Sequence, residues 1–180
     1  MGLEDQTIFI FTSDNGGYMN NYPLREIKSF VEEGGVRVPL IVKWKGEIEA
    51  GSDCAVPVVS NDFFPTIQEM AGTTLFEGLD GVSLMPLLKG EIRYQNRPIF
   101  WHSPHYHQIY GASPVGGVRQ GDYKLIQCLE DMHFELYKVS EDMGETEDLA
   151  DKMPGKVKEL AALLHDWRKE VDARMPTPLK

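Results

Sequence analysis

Thr7-Ile8-Phe9-Ile10-Phe11-Thr12 is apolar at consecutive positions and rich in β-forming side chains, which predicts a strand covered on both faces. Val38-Pro39-Leu40-Ile41-Val42-Lys43-Trp44 repeats the pattern and predicts a second strand of the same kind. Between them, Pro23 to Val31 reads as a short helix stopped by Gly34-Gly35. Ser60-Asn61-Asp62 offers N-cap oxygens to a helix that runs through Ala71 and ends at Gly72. Its apolar residues Phe63, Phe64, Ile67, Met70 and Ala71 share one face. Asp80-Gly81 and Pro86 mark loops, with Leu84, Leu87 and Leu88 packing back onto a core. Two central strands make a poor sheet, so residues 1–92 read as the end of a larger α/β domain.

The pattern changes near Arg97, and residues 93–180 read as a second, smaller unit. Pro98 to His102 predicts a strand, Gly117 to Ile126 a hairpin turning at Gly121-Asp122, and Phe134 to Val139 a further strand. Val157, Leu160, Leu164, Trp167 and Val171 recur at steps of three and four, an apolar stripe on a helix between Pro154 and Met175-Pro176. An antiparallel sheet covered by one helix satisfies these patterns.

A formal net charge of −10, from 18 basic and 28 acidic residues, argues against broad nucleic-acid binding. No apolar run reaches the roughly 20 residues of a membrane span. Cys54 and Cys128 form neither a C-x-x-C nor a Cys/His metal pattern and read as two buried free thiols.

Ser13-Asp14-Asn15-Gly16-Gly17 follows directly on the first strand, where open α/β sheets place their ligand crevice. The oxygens of Asp14 and Asn15 suit a hard divalent cation, although the same residues also build a plain Asn-Gly turn. Two oxygens cannot complete a six-coordinate shell. Lys28 is placed to bring an ammonium to an anion near that crevice, or simply to be a solvated lysine. His102, His105 and His107 form the one histidine cluster, readable as a strand-to-loop segment with exposed aromatics.

Together these segments resemble the sulfatase family of the alkaline-phosphatase superfamily. The resemblance lies in Thr12-Ser13-Asp14-Asn15-Gly16-Gly17, in Pro23-Leu24-Arg25 with Lys28, and in Glu33-Gly34-Gly35-Val36-Arg37-Val38-Pro39. It continues through Asp62-Phe63-Phe64-Pro65-Thr66-Ile67, Asp80-Gly81-Val82-Ser83-Leu84 and Arg119-Gln120-Gly121-Asp122-Tyr123-Lys124-Leu125-Ile126, then Leu136-Tyr137 with Asp142, Gly144-Glu145 and Leu149-Ala150. The ordered set covers essentially the whole chain.

The resemblance implies an alkaline-phosphatase-like α/β fold, of which this chain is the C-terminal portion: the edge of a large mixed sheet, then a small antiparallel sheet packed by a C-terminal helix. It implies that Asp14 and Asn15 ligate an active-site calcium or magnesium and that Lys28 contacts the substrate sulfate. It also implies a formylglycine nucleophile, made in a C/S-x-P-x-R motif that this chain does not contain. The isolated chain is therefore expected to be inactive. His105 and His107 are expected to touch the leaving group of a sulfated carbohydrate or aryl sulfate ester. Around Lys28 the chain reads Glu26-Ile27-Lys28-Ser29 where the family has Gly-Gly-Lys-Gly. Two alternatives remain open: a phosphodiesterase or phosphonate hydrolase of the same superfamily, and a standalone binding or scaffold module self-associating through the Thr7–Thr12 strand.

Overall fold

The computed structural model describes residues 2–94 and 96–177. In chain order the main elements are β1 (Ile8–Thr12), α1 (Glu33–Val36), β2 (Leu40–Trp44), α2 (Phe63–Met70) and α3 (Met85–Leu88). They are followed by β3 (Ile99–Ser103), β4 (Val115–Gln120), β5 (Tyr123–Cys128), β6 (Phe134–Lys138) and α4 (Pro154–Glu170). The chain folds as two compact units, Met1–Thr12 with Pro39–Arg97, and Ser13–Val38 with Pro98–Lys180.

In the first unit β1 and β2 pair antiparallel, with Phe9 opposite Lys43 and Phe11 opposite Ile41. Burial alternates along both strands instead of running continuously. Phe9, Phe11 and Ile41 share the exposed face, so the expected cover on both faces is seen on one face only among the described residues. α2 also departs from expectation. Asp62 does not cap it through its side chain, and Phe64 and Ile67 are exposed while Pro65 and Thr66 are buried. The Asp62 carboxylate is used elsewhere, because a fully buried charge needs partners on every lone pair. It takes two bonds from Arg97, at 2.7 and 2.6 Å, and the backbone N–H groups of Val59 and Val82 at 2.9 and 3.0 Å.

The second unit holds the sheet β3-β4-β5-β6, antiparallel throughout. The predicted hairpin turns at Gly121 and Asp122, with Gly121 in the left-handed region (φ 58°) that glycine enters without a Cβ clash. α4 starts with Pro154 in its first turn, where the missing N–H costs nothing. Leu160 and Leu164 of its stripe pack on Val118, Leu125 and Leu136, and Trp167 stacks on Phe100 at 4.7 Å between centroids. Val171 lies beyond the helix and is exposed.

Both cysteines are free, but they are not buried. Cys54 is exposed in the loop after β2, and Cys128 at the end of β5 is half-buried. No helix among the described residues is long and apolar enough to cross a membrane.

Candidate functional site

The site is built from two loops of the second unit that lock together through their glycines. Gly16 donates its N–H to the Gly35 carbonyl at 2.8 Å, and a Cβ on Gly16 would lie 1.8 Å from the Gly34 oxygen. Cβ atoms on Gly34 and Gly35 would in turn meet the carbonyls of Glu26 and Phe30, each at 2.1 Å. Only glycine lets these backbones approach so closely. Asn21 staples the arrangement, its Nδ2 lying 2.9 Å from the carbonyls of Gly17 and Gly34 and 3.3 Å from that of Glu26.

The segment from Pro23 to Val31 is not the expected helix. The Lys28 N–H bonds to the Gly17 carbonyl at 2.9 Å, not to a carbonyl four residues back along a helix. Glu26 (φ 62°) and Ser29 (φ 82°) sit in the left-handed region, which a right-handed helix excludes. These residues flank Lys28, and the loop adopts there a backbone that glycine would take at lower cost. The one helical turn, α1, instead contains Gly34-Gly35. The Lys28–Gly17 bond draws Lys28 toward the loop bearing Asp14 and Asn15.

Asp14 is exposed and Asn15 half-buried, with Ser13 Oγ 3.4 Å from Asp14 Oδ1 and 2.9 Å from the Asn15 carbonyl. A carboxylate beside an amide oxygen is the donor chemistry that calcium and magnesium accept, so the residues present fit part of such a shell. His105 is exposed in the loop after β3, and His107 stacks on Tyr110 at 4.9 Å. Neither hydrogen-bonds to Asp14, Asn15 or Lys28 among the described residues, and the Nδ1 of His107 is buried without a partner.

Beneath the loops lies an ionic cluster that the sequence reading did not single out. Lys124 is 0% exposed, and its Nζ stands 2.9 Å from Glu33 Oε1 and 3.0 Å from Glu145 Oε1. Glu145 Oε2 accepts the N–H of Glu33, the first residue of α1, at 2.8 Å. Arg37 and Arg119 approach Glu33 Oε2 at 3.4 and 3.7 Å. Burial alone would raise the Glu33 carboxyl, but Lys124, then Arg119 and Arg37, hold it below the usual carboxylate range. Burial pushes Glu145 the other way, and Lys124 only partly offsets it. Nearby, Arg25 bonds Glu135 at 2.9 Å and the Tyr137 hydroxyl at 2.5 Å. Burial opposes the Arg25 charge, and Glu135 more than offsets that, raising its pKa. A lysine inside the otherwise apolar stretch Tyr123-Lys124-Leu125-Ile126 was the signal for this cluster, and its partners were out of view because they lie far away in sequence.

Comparison with known proteins agrees with this architecture. Residues 27–173 match the family described as N-sulphoglucosamine sulphohydrolase, C-terminal. A sulfatase from Formosa agariphila is 41% identical over 167 residues, taking in 85% of this chain and 30% of that protein. An N-acetylglucosamine-6-O-sulfatase from Bacteroides thetaiotaomicron is 30% identical over 179 residues, 94% of this chain and 31% of that protein. A solved structure in complex with its substrate D-glucosamine-2-N,6-O-disulfate superposes with a TM-score of 0.80 at 28% identity, covering 97% of this chain and 36% of that one. A phosphonate monoester hydrolase of Agrobacterium radiobacter shares the fold, with a TM-score of 0.70 at 24% identity over 94% of this chain and 36% of that one. The chain thus spans about a third of the length of these relatives. With its Gly-locked loops, its alkaline-phosphatase-like fold and a family match over most of its length, the chain belongs to the sulfatases, in the N-sulphoglucosamine sulphohydrolase C-terminal family.

Proposed function

We propose that this chain is the C-terminal part of a sulfuric-ester hydrolase acting on a sulfated carbohydrate or an aryl sulfate, and that it supplies two metal ligands and one sulfate contact. The observation that carries this is the bond from the Lys28 N–H to the Gly17 carbonyl, which docks an ammonium-bearing segment on the Asp14-Asn15 loop. In this reading Asp14 and Asn15 hold calcium or magnesium, which when bound lowers the cost of charge gathering on sulfate oxygens. The Lys28 ammonium holds the sulfate in place by its charge. The formylglycine nucleophile belongs to a part of the protein outside this chain. The N-acetylglucosamine-6-O-sulfatase relative and the similar solved structure with D-glucosamine-2-N,6-O-disulfate as its substrate support a sulfated sugar as substrate.

The test uses the full-length protein with Asp14→Ala and Lys28→Ala, assayed on matched aryl sulfate and aryl phosphonate esters. Each substitution should lower kcat/KM on the sulfate by about 100–1,000-fold, the usual loss for one electrostatic contact to the transition state. Losses below threefold would remove Asp14 and Lys28 from the site. Faster turnover of the phosphonate by the unmodified protein would move it to the phosphonate hydrolases that share the fold.

A further inference from the structure

On the surface of the second unit, the β5–β6 turn gathers three different metal-binding side chains. Cys128 ends β5, His133 immediately precedes β6, and Asp131 lies between them. The Cys128 N–H bonds to the His133 carbonyl at 3.1 Å, closing the turn and placing both side chains at its neck. One ligand atom from each of Cys128, Asp131 and His133 lies within 4.8 Å of the other two. Donors around a tetrahedral zinc stand roughly 3.3–3.5 Å apart, given bond lengths of about 2.0–2.3 Å. Small side-chain rotations would therefore bring the three onto one ion.

We propose that Cys128, Asp131 and His133 form a binding site for a borderline-soft divalent cation, zinc above all, separate from the Asp14-Asn15 loop. The donor set decides the class of metal. A thiolate and an imidazole beside one carboxylate suit zinc, whereas calcium and magnesium take oxygens. The histidine is oriented for the task. Its Nδ1 faces Asp131 Oδ1 at 2.6 Å, and its Nε2 stands 3.7 Å from Glu135 Oε1. With Nδ1 on the ion, closure of the Glu135 carboxylate onto Nε2 to hydrogen-bond distance would fix the imidazole tautomer and make the ligating nitrogen more basic. Another carboxylate borders the turn: Glu130, whose Oε2 lies 4.0 Å from Cys128 Sγ and whose Oε1 accepts the Tyr106 hydroxyl at 2.6 Å. Three protein donors leave one tetrahedral position for water or for Glu130. On binding, the ion replaces the thiol proton of Cys128 and the proton shared between His133 and Asp131, and both protons pass to solvent.

Cobalt(II) is the probe, titrated into the full chain under a non-thiol reductant with excess calcium present to fill oxygen sites. The expected result is a one-to-one complex with a thiolate-to-cobalt absorption band in the near ultraviolet, bleached when zinc is added. Cys128→Ser should abolish the band, and Cys54→Ser should leave it intact. Asp131→Asn and His133→Ala sit on an exposed turn, and each should weaken cobalt binding at least tenfold with an unchanged circular dichroism spectrum. Absence of the band in the unmodified chain overturns the site. So does a band that survives Cys128→Ser, or affinity unmoved by His133→Ala.

Discussion

Replacing Lys124 with methionine should cost about 3–5 kcal/mol of stability at pH 7, the usual loss when one partner of a buried ion pair is removed. The geometry places it in that range. The Nζ is wholly buried and within 3.0 Å of two carboxylates, and methionine keeps most of the side-chain volume while deleting the charge. Glu33 would retain Arg37 at 3.4 Å and Arg119 at 3.7 Å, but among the described residues Glu145 would keep only the Glu33 N–H at 2.8 Å. The uncompensated charge therefore falls on Glu145. Burial already raises its pKa in the folded state, and losing Lys124 raises it further. A carboxyl whose folded pKa is raised favours the folded state fully below its unfolded value, about 4.3, and loses that contribution as pH climbs through the folded value. The penalty of Lys124→Met should accordingly shrink as the pH is lowered from 7 toward about 4.5. Urea unfolding followed by tryptophan fluorescence is the assay, since Trp101 lies with its ring centroid 5.3 Å from the Nζ. Adding Glu145→Gln to Lys124→Met should recover part of the loss, a coupling of about 0.5–3 kcal/mol. A loss under about 1 kcal/mol at pH 7, with no dependence on pH, would mean that Lys124 does not share an enclosed site with the two carboxylates.

Gly16→Ala should destabilise the protein by about 1–3 kcal/mol, because the added Cβ meets a backbone carbonyl that cannot rotate away. It should also weaken divalent-metal affinity in the full-length protein, and calorimetry showing both properties unchanged would count against the loop lock. A full-length His105→Ala, His107→Ala enzyme should show raised KM for its sulfate ester, and an unmoved KM would release both residues from the substrate. The purified chain alone should not turn over an aryl sulfate, and only if it is a standalone scaffold module should sedimentation show it self-associating through the Thr7–Thr12 strand. Turnover would refute the first expectation, and a strictly monomeric chain with that strand well folded would count against the scaffold module.

Much of the fold was legible from local pattern. The α4 stripe, the Gly121-Asp122 turn and the strands β3, β5 and β6 follow from periodicity and turn chemistry, which depend on neighbours a few residues away. The order of motifs likewise identified the family, and Asp14, Asn15 and Lys28 could be nominated from it. What the local pattern missed depends on partners distant in sequence. Asp62 looked like an N-cap, yet its carboxylate is claimed by Arg97, 35 residues on, because a buried charge takes the strongest donors within reach. The run from Pro23 to Val31 looked helical, but the Gly17 carbonyl and the Asn21 amide take up its backbone groups and hold it as a loop. The Lys124 cluster likewise comes from chain closure, since Lys124 and Glu33 are far apart in sequence. A sequence alone therefore determined which elements form and which residue types are available for chemistry. Tertiary structure decided which charges meet, because burial leaves a charged or polar side chain stable only where a partner waits, and that partner is set by packing.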